Sequence, residues 1–172
     1  MLAPALVLGA ALILYPMYLV VVVAFKDVRI IDMSRLGNAA TTLGNFRDVF
    51  SDPTVWDSLI KSFIYMLGAT IPALLIGLLS ALLLNQAFPG RRFLRTLILV
   101  PWSVPSVIAA IAFLWILDAS YGVLNYALKS LGLIDAYVPW LAHSNTAMFA
   151  VILPTIWKTY PFFTLVLLAA LQ

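Results

Sequence analysis

The chain has 172 residues, of which 64% are hydrophobic and 10% are charged, and its formal net charge is +3. A soluble domain is about half apolar and about a quarter charged, so this composition excludes a water-soluble fold and predicts a membrane protein. The sequence has no cysteine, no glutamate and one histidine, which argues against a metal site and against acid–base catalysis. We expect no nucleic-acid partner, because the small positive charge forms no basic face.

An uncharged apolar run fills residues 2–25. It is long enough to cross a bilayer, which takes about 20 helical residues. No basic segment precedes it and it exceeds the apolar core of a signal peptide, so we interpret it as the first transmembrane helix. Residues 26–58 are predicted to form an outside loop. Near its end, Asp52 and Pro53 predict a helix start, with Trp56 in a short helix at the membrane interface.

The second predicted span covers residues 59–84. Small residues recur there at every fourth position, which places them on one helix face and predicts close packing against another helix. We call this set the small-residue stripe: Ala69, Ala73, Gly77 and Ala81. Small residues are common in membrane helices, so a face without a specific partner is the alternative interpretation.

A turn follows at residues 85–94, marked by Pro89 and Gly90. Three arginines, with no acidic residue near them, are predicted to anchor this turn at the membrane surface: Arg91, Arg92 and Arg95. Basic loops tend to be cytoplasmic, and we predict this side for the turn. The first loop carries four basic residues, Lys26, Arg29, Arg35 and Arg47, so the count of cations alone leaves the orientation open.

The third predicted span, residues 95–117, contains Pro101 and Pro105. An interior proline removes a backbone donor and clashes with the preceding turn. Membrane helices tolerate it where neighbouring groups satisfy the freed carbonyls. We therefore predict a kinked transmembrane helix that lines a path. Trp102 and Ser106 are four residues apart, which would place them on one face of a continuous helix.

Residues 118–145 form a second predicted outside loop, in which apolar residues from Leu124 to Ile134 have the spacing of an interfacial helix. The fourth predicted span is residues 146–171, interrupted near its middle by Trp157 to Pro161. Lys158 costs at least about 2.5 kcal/mol at the bilayer centre. Such residues usually face a bundle interior or a watery path, and we predict that Lys158 does so; snorkelling to the interface is the alternative.

Short motifs along the whole chain occur in a specific order, although each is weak alone. They are Leu14-Tyr15-Pro16, Gly44-Asn45-Phe46, Asp52-Pro53 with Trp56, Asn85 to Arg95, Pro101-Trp102-Ser103-Val104-Pro105, Tyr121-Gly122 with Leu124-Asn125, Trp140-Leu141, Trp157 with Pro161-Phe162, and Leu168 to Gln172. With these motifs the chain resembles the permease subunits of sugar ABC importers, the family that includes the membrane subunits of the maltose transporter. The resemblance implies an all-α polytopic membrane protein whose four helices correspond to the N-terminal part of the type I ABC importer permease fold.

The resemblance also implies a function and partners. Such a subunit forms part of the translocation path for a carbohydrate across the cytoplasmic membrane. It works with a second permease subunit, two ATP-binding subunits and an extracytoplasmic sugar-binding protein. The permease itself is not an enzyme and holds no cofactor, because the partner subunits use the ATP. The family's cytoplasmic coupling loop, with a Glu-Ala-Ala…Gly signature, follows the closing Leu-Gln. This sequence stops before it, so we expect a truncated permease that does not couple to ATP by itself.

By the same resemblance, sugar contacts come from a Pro-aromatic-x-x-Pro-Ser segment and a Trp-x-x-x-Pro-aromatic segment. The corresponding substrate-path residues are Trp102, Ser106, Trp157, Lys158, Thr159 and Phe162. Aromatic rings and a few placed polar groups are what a small-molecule site uses. Three alternatives stay open: a subunit that lines the path without touching the sugar, a permease for another solute, and a structural membrane module without a pore.

Overall fold

The structure is a computed structural model that describes residues 3–28, 34 and 36–172. In those residues the regular elements are helices, apart from one isolated antiparallel bridge between Lys26 and Thr41. The predicted all-α class is confirmed. Arg29 and Arg35 of the first loop, and residue 2 of the first predicted span, lie outside the described residues.

The chain divides into two compact units, residues 1–61 and 62–172. In the first unit, α1 (Ala3–Gly9) passes through a π-helical turn (Ala10–Leu14) into α2 (Tyr15–Ala24). A third helix, α3, spans Gly44–Ser51. The Asn45 side-chain amide donates to the carbonyls of Ala24 and Lys26, at 3.0 Å each, and so ties the start of α3 to the end of α2.

Helix α4 is a continuous helix of 33 residues, Pro53–Asn85. It begins before the predicted position 59, and Trp56 lies in its first turns. The Asp52 carboxylate accepts a hydrogen bond from the Thr54 backbone N–H at 2.8 Å, which satisfies one of the free amides at a helix start. That bond holds the pKa of Asp52 below its usual range.

The predicted kinked span at residues 95–117 is wrong in its geometry, because the structure has two helices there. Helix α5 spans Arg91–Ser103, helix α6 spans Ser106–Ile116, and the pair is bent by 91°. We call Val104 and Pro105 the break. A residue before proline is pushed out of the helical region into extended backbone, and Val104 accordingly has φ −69° and ψ 129°.

Helix α7 spans Val123–Ser130, and α8 spans Ser144–Ala170. Helix α8 covers the predicted last span and continues through Pro154 and Pro161. Two threonine hydroxyls near the prolines donate to carbonyls one turn earlier in α8: Thr155 to Val151 at 3.0 Å and Thr164 to Tyr160 at 3.0 Å. Such side-chain bonds support a membrane helix that contains proline.

Among the described residues, three helical segments are long and apolar enough to cross a bilayer: Val7–Ala24, Pro53–Asn85 and Ser144–Ala170. The bent pair α5–α6 makes a fourth if it is counted as one span. In the second unit, α4, α5 and α8 meet at a core of Ala81, Leu84 and Leu168, flanked by Phe88, Leu94, Ile98 and Leu167. Many large apolar side chains elsewhere are exposed, as expected where lipid is the solvent.

Candidate functional site

The break between α5 and α6 leaves the Val104 backbone carbonyl without a helical hydrogen bond, and the Lys158 side chain donates to it. Because Val104 is extended, its carbonyl turns away from the direction that a helical hydrogen bond needs. The Lys158 Nζ donates to this oxygen at 2.5 Å. The same oxygen lies at the C-terminal end of α5, where the helix dipole attracts a cation. A lysine inside a membrane-length helix thus pairs with a broken helix.

Aromatic packing fixes α8 beside the break. The ring of Trp157 packs edge-on against Phe113 of α6, with 5.5 Å between ring centroids. One turn further along α8, Pro161 is buried and so is Thr164. Lys158 therefore projects from a helix surface that contacts both arms of the bent pair, which explains why its ammonium group reaches a carbonyl 54 residues away in the chain.

The predicted path residues Trp102 and Ser106 lie on opposite sides of the break. Trp102 is in the last turn of α5 and is 54% exposed, and Ser106 is the exposed first residue of α6. The expectation that they share one helix face is wrong, because the chain turns through 91° between them. The break instead places them on two different helices, and the Val104 carbonyl that accepts from Lys158 lies between them in the chain.

The remaining two path residues differ in what their side chains do. The half-buried Thr159 donates its hydroxyl to the Thr155 carbonyl at 2.6 Å, within α8. Phe162 is 51% exposed and packs against Phe163, at 5.9 Å between ring centroids. Sequence reasoning did not single out Tyr65, whose hydroxyl lies 3.0 Å from the Thr155 hydroxyl and joins α4 to α8.

The small-residue stripe of α4 is buried at all four positions. A Cβ built on Gly77 would lie 2.6 Å from the Phe163 Cβ and 3.1 Å from the Thr164 backbone nitrogen. Only a glycine allows α8 to approach α4 this closely. The stripe is therefore occupied within this chain by a neighbouring helix, at least around Gly77.

The three arginines of the predicted cytoplasmic turn lie at the N-terminal end of α5, away from the break. Arg92 is exposed, whereas Arg91 and Arg95 are half-buried. Within the described part of the chain, Nε of Arg91 and both Nε and Nη2 of Arg95 are buried without a hydrogen-bond partner. Arg95 also lines a cavity of about 310 Å³ with Leu84, Thr164, Leu168 and Gln172.

A second cavity, of about 350 Å³, lies in the loop between α6 and α8, and we call it the loop pocket. Its walls include three aromatic rings and one carboxylate, from Trp115, Asp118, Tyr121 and Trp140. The fully buried Asn125 fixes the backbone frame around the loop pocket: its side-chain amide donates to the carbonyls of Asp118 (3.1 Å) and Val138 (3.0 Å). Its oxygen accepts bonds from the Val138 N–H (3.1 Å) and the Trp140 indole (3.0 Å).

The described residues contain no cluster of three His, Cys, Asp or Glu side chains that could hold a metal ion. The Asp118 carboxylate accepts backbone bonds from Ser120 at 2.7 Å and Tyr121 at 3.1 Å. The bonds hold the pKa of Asp118 below its ordinary value.

Comparison with known proteins identifies relatives along the whole chain, although no protein-family model matches it. A probable ABC transporter permease of Brucella suis is 33% identical over 169 residues, covering 98% of this chain and 57% of that protein. The trehalose/maltose transport system permease of Thermococcus litoralis is 37% identical over 130 residues, covering 76% of this chain and 43% of the relative. The chain is homologous to ABC transporter permease subunits. It spans about half the length of these relatives.

Other comparisons agree with this homology. The sulfoquinovosyl glycerol transport system permease of Agrobacterium fabrum is 33% identical over 174 residues, covering 100% of this chain and 54% of the relative. A bacterial ABC transporter involved in the import of the acidic polysaccharide alginate has a chain of the same fold, with a TM-score of 0.71. That likeness covers 99% of this chain and 55% of the other, at 24% identity. The predicted permease fold is confirmed.

Proposed function

We propose that the protein to which this chain belongs is a membrane-spanning permease subunit of a binding-protein-dependent ABC importer that carries a carbohydrate. The observation that carries the proposal is the Lys158–Val104 contact, a cation held at a broken helix between segments of membrane length. Broken helices with exposed backbone polar groups are found in membranes where they line a cavity or a path. Relatives named for trehalose/maltose and sulfoquinovosyl glycerol transport support a carbohydrate.

In the proposed path, the break supplies an irregular wall with polar groups. Trp102 and Ser106 flank it, and Trp157, Lys158, Thr159 and Phe162 follow along α8. We assign direct sugar contact to the exposed rings, Trp102 and Phe162. Lys158 acts as a positioning residue, because its ammonium group already bonds the Val104 carbonyl. Trp157 likewise supports the wall through its contact with Phe113.

The proposed assembly has the partners that the family implies. A second permease subunit completes the path, two ATP-binding subunits hydrolyse ATP, and an extracytoplasmic sugar-binding protein delivers the solute. The structure of the alginate transporter contains a periplasmic protein with a bound alginate pentasaccharide, which supports a binding protein here. The permease needs no cofactor of its own in this scheme, and it is not an enzyme.

We place the protein in the cytoplasmic membrane as a multi-pass subunit, with the turn at Arg91, Arg92 and Arg95 on the cytoplasmic side. Clustered arginines favour that side. The loop from α6 to α8 then faces outward.

A structural membrane module is the main alternative from another class, and one observation argues against it. Such a module would offer the small-residue stripe to a partner, yet Gly77 is already covered by Phe163 and Thr164. A permease for a non-sugar solute stays an alternative that transport measurements decide.

Uptake by the assembled importer tests the proposal. We expect membrane vesicles that contain the full-length permease and its partners to accumulate a radiolabelled carbohydrate from a panel of trehalose, maltose and alginate oligosaccharides when ATP is inside. Replacing Trp102 by alanine should raise KM about tenfold, because stacking of its ring on the sugar is expected to contribute about 1.4 kcal/mol. Phe93→Ala, which removes an exposed ring near the other end of α5, serves as the control. Uptake of amino acids or ions instead of any carbohydrate would refute the assignment.

A further inference from the structure

We propose that the loop pocket is a carbohydrate subsite, where a sugar ring docks before it reaches the break between α5 and α6. This inference rests on the proposed function, since the solute is taken to be a carbohydrate. It concerns a site at the loop end of α6, apart from the path residues assigned above. It also gives a role to the Tyr121-Gly122, Leu124-Asn125 and Trp140-Leu141 motifs, which the path leaves unused.

The walls of the loop pocket have the chemistry that a sugar ring needs. Trp115 is 66% exposed and Tyr121 is 68% exposed, so both rings are free to cover the apolar C–H face of a pyranose. Asp118 uses Oδ1 for two backbone bonds, which leaves Oδ2 available to accept bonds from sugar hydroxyls. A cavity of about 350 Å³ fits the lower range of small-molecule sites, about 300–1,000 Å³.

The frame of the loop pocket is rigid, which favours a binding site over an adventitious gap. All four hydrogen bonds of the buried Asn125 amide are made inside this frame, to Asp118, Val138 and Trp140. Gly122 is packed against the backbone of the turn, because a Cβ there would lie 2.7 Å from the Asp118 nitrogen. A site that is fixed before its ligand arrives avoids the ordering cost of binding.

A membrane-interface role is the competing explanation for these aromatic residues, since Trp and Tyr collect at the level of the lipid headgroups. An aromatic belt requires neither a cavity nor a carboxylate between the rings. It also does not require a buried amide to orient an indole, as Asn125 does for Trp140. These three features together point to a sugar rather than to lipid.

Chemical labelling tests the site directly in vesicles that contain the assembled importer. N-bromosuccinimide oxidises exposed tryptophans, and mass spectrometry of peptides reports each position. We expect the panel carbohydrate that the wild type imports to slow the oxidation of Trp115, whereas an equal concentration of glycerol does not. Trp56, which is exposed in the other compact unit, should be oxidised equally with and without sugar.

Two substitutions test the same site by kinetics. Trp115→Ala removes one ring, and Asp118→Asn removes the charge but keeps an oxygen for the turn. We expect each to raise KM about tenfold or more with little change in kcat, because a hydrogen bond to a charged group or a ring contact contributes to binding alone. The controls are Tyr126→Ala, an exposed ring of α7, and Asp135→Asn, an exposed acid of the same loop.

The outcomes separate this inference from the proposed function. If the wild type imports a carbohydrate while Trp115 stays unprotected and both substitutions keep the wild-type KM, the loop pocket is not a sugar site and the transport role stands. If the wild type imports none of the carbohydrates, the proposed function fails, and the sugar assignment of the pocket fails with it.

Discussion

The Lys158 ammonium lies 2.5 Å from the Val104 carbonyl oxygen, at the point where α5 ends and the chain turns through 91° into α6. Two groups that are unfavourable alone in a membrane satisfy each other. A lysine at the bilayer centre costs at least about 2.5 kcal/mol, and an unpaired buried carbonyl costs about 1–3 kcal/mol. Their pairing links the geometry of the bent pair to a residue of α8.

Replacing Lys158 by methionine should change the geometry of the break more than the stability of the fold. The loss of the carbonyl bond and the loss of the membrane charge have opposite signs and similar sizes, so the thermal midpoint in detergent should move little. Uptake should fall at least tenfold as the break relaxes. Lys61→Met, which removes an exposed pair with Asp57, should have little effect on either measurement.

The geometry itself can be measured with spin labels. This chain has no cysteine, so cysteines at the exposed positions Phe93 and Leu114 label α5 and α6. We expect a single distance distribution in the otherwise unchanged chain and a broader one with Lys158→Met. Lys158→Arg, which keeps a cationic donor, should restore part of the narrow distribution. Identical distributions in all three proteins would show that Lys158 does not hold the break.

Gly77→Ala should destabilise the packing of α4 on α8. The added methyl would meet the Phe163 Cβ at 2.6 Å and the Thr164 backbone at 3.1 Å, and overpacking of this kind costs about 1–3 kcal/mol. Thermal unfolding in detergent measures the loss. Gly9→Ala provides the control, because nothing lies within 4 Å of a Cβ at that position; equal effects of the two substitutions would contradict the close approach.

Asn125→Asp should loosen the loop between α6 and α8 although it barely changes the side chain's shape. The aspartate loses the two donors that bond the carbonyls of Asp118 and Val138, and unsatisfied buried carbonyls cost about 1–3 kcal/mol each. Hydrogen exchange at residues 118–140 should therefore quicken. Asn145→Asp, which lies in the first turn of α8 and is exposed, is the matched substitution, and exchange in this loop should be unaffected by it.

The turn at Asp118 should lose stability in acid. Backbone N–H groups of Ser120 and Tyr121 lower the pKa of Asp118 in the folded state. The unfolded chain therefore binds the proton more readily, and stability rises with pH over this range. The contribution is complete above the ordinary aspartate pKa of about 3.9 and disappears as pH falls through the lowered folded pKa.

Thermal midpoints between pH 6 and pH 3 test this dependence. The difference between the wild type and Asp118→Asn should be largest at pH 6 and should shrink on acidification. Asp135→Asn, which removes an exposed acid of the same loop, is the matched control substitution. A wild-type advantage that grows toward pH 3 would contradict the assignment of Asp118.

The sequence predicted which kinds of residue and helix form this site, but it predicted less of their arrangement in space. Pro105 indicates where the third span must bend, because a proline restricts the residue before it, but not that the bend reaches 91°. Apolar helices of membrane length and a capping aspartate were also readable, since both depend on neighbours in the chain. The burial of Asn125 could not be read from the sequence, because an asparagine in a short interfacial helix is ordinarily solvated; it depends on residues 118 and 138–140 folding over it.

Composition determined that the solvent is lipid, and uncharged runs of about 20 residues determined that the elements are helices, which satisfy their own backbone within each segment. Pro105 favoured a break at Val104, but that the chain breaks there and not at Pro101, Pro154 or Pro161 was decided by the tertiary structure. Which group then satisfies the free carbonyl was decided by the tertiary structure. The donor is Lys158, 54 residues away, and it arrives there because the packing of α8 against α4 and α6 through Gly77, Phe163, Phe113 and Trp157 sets its position.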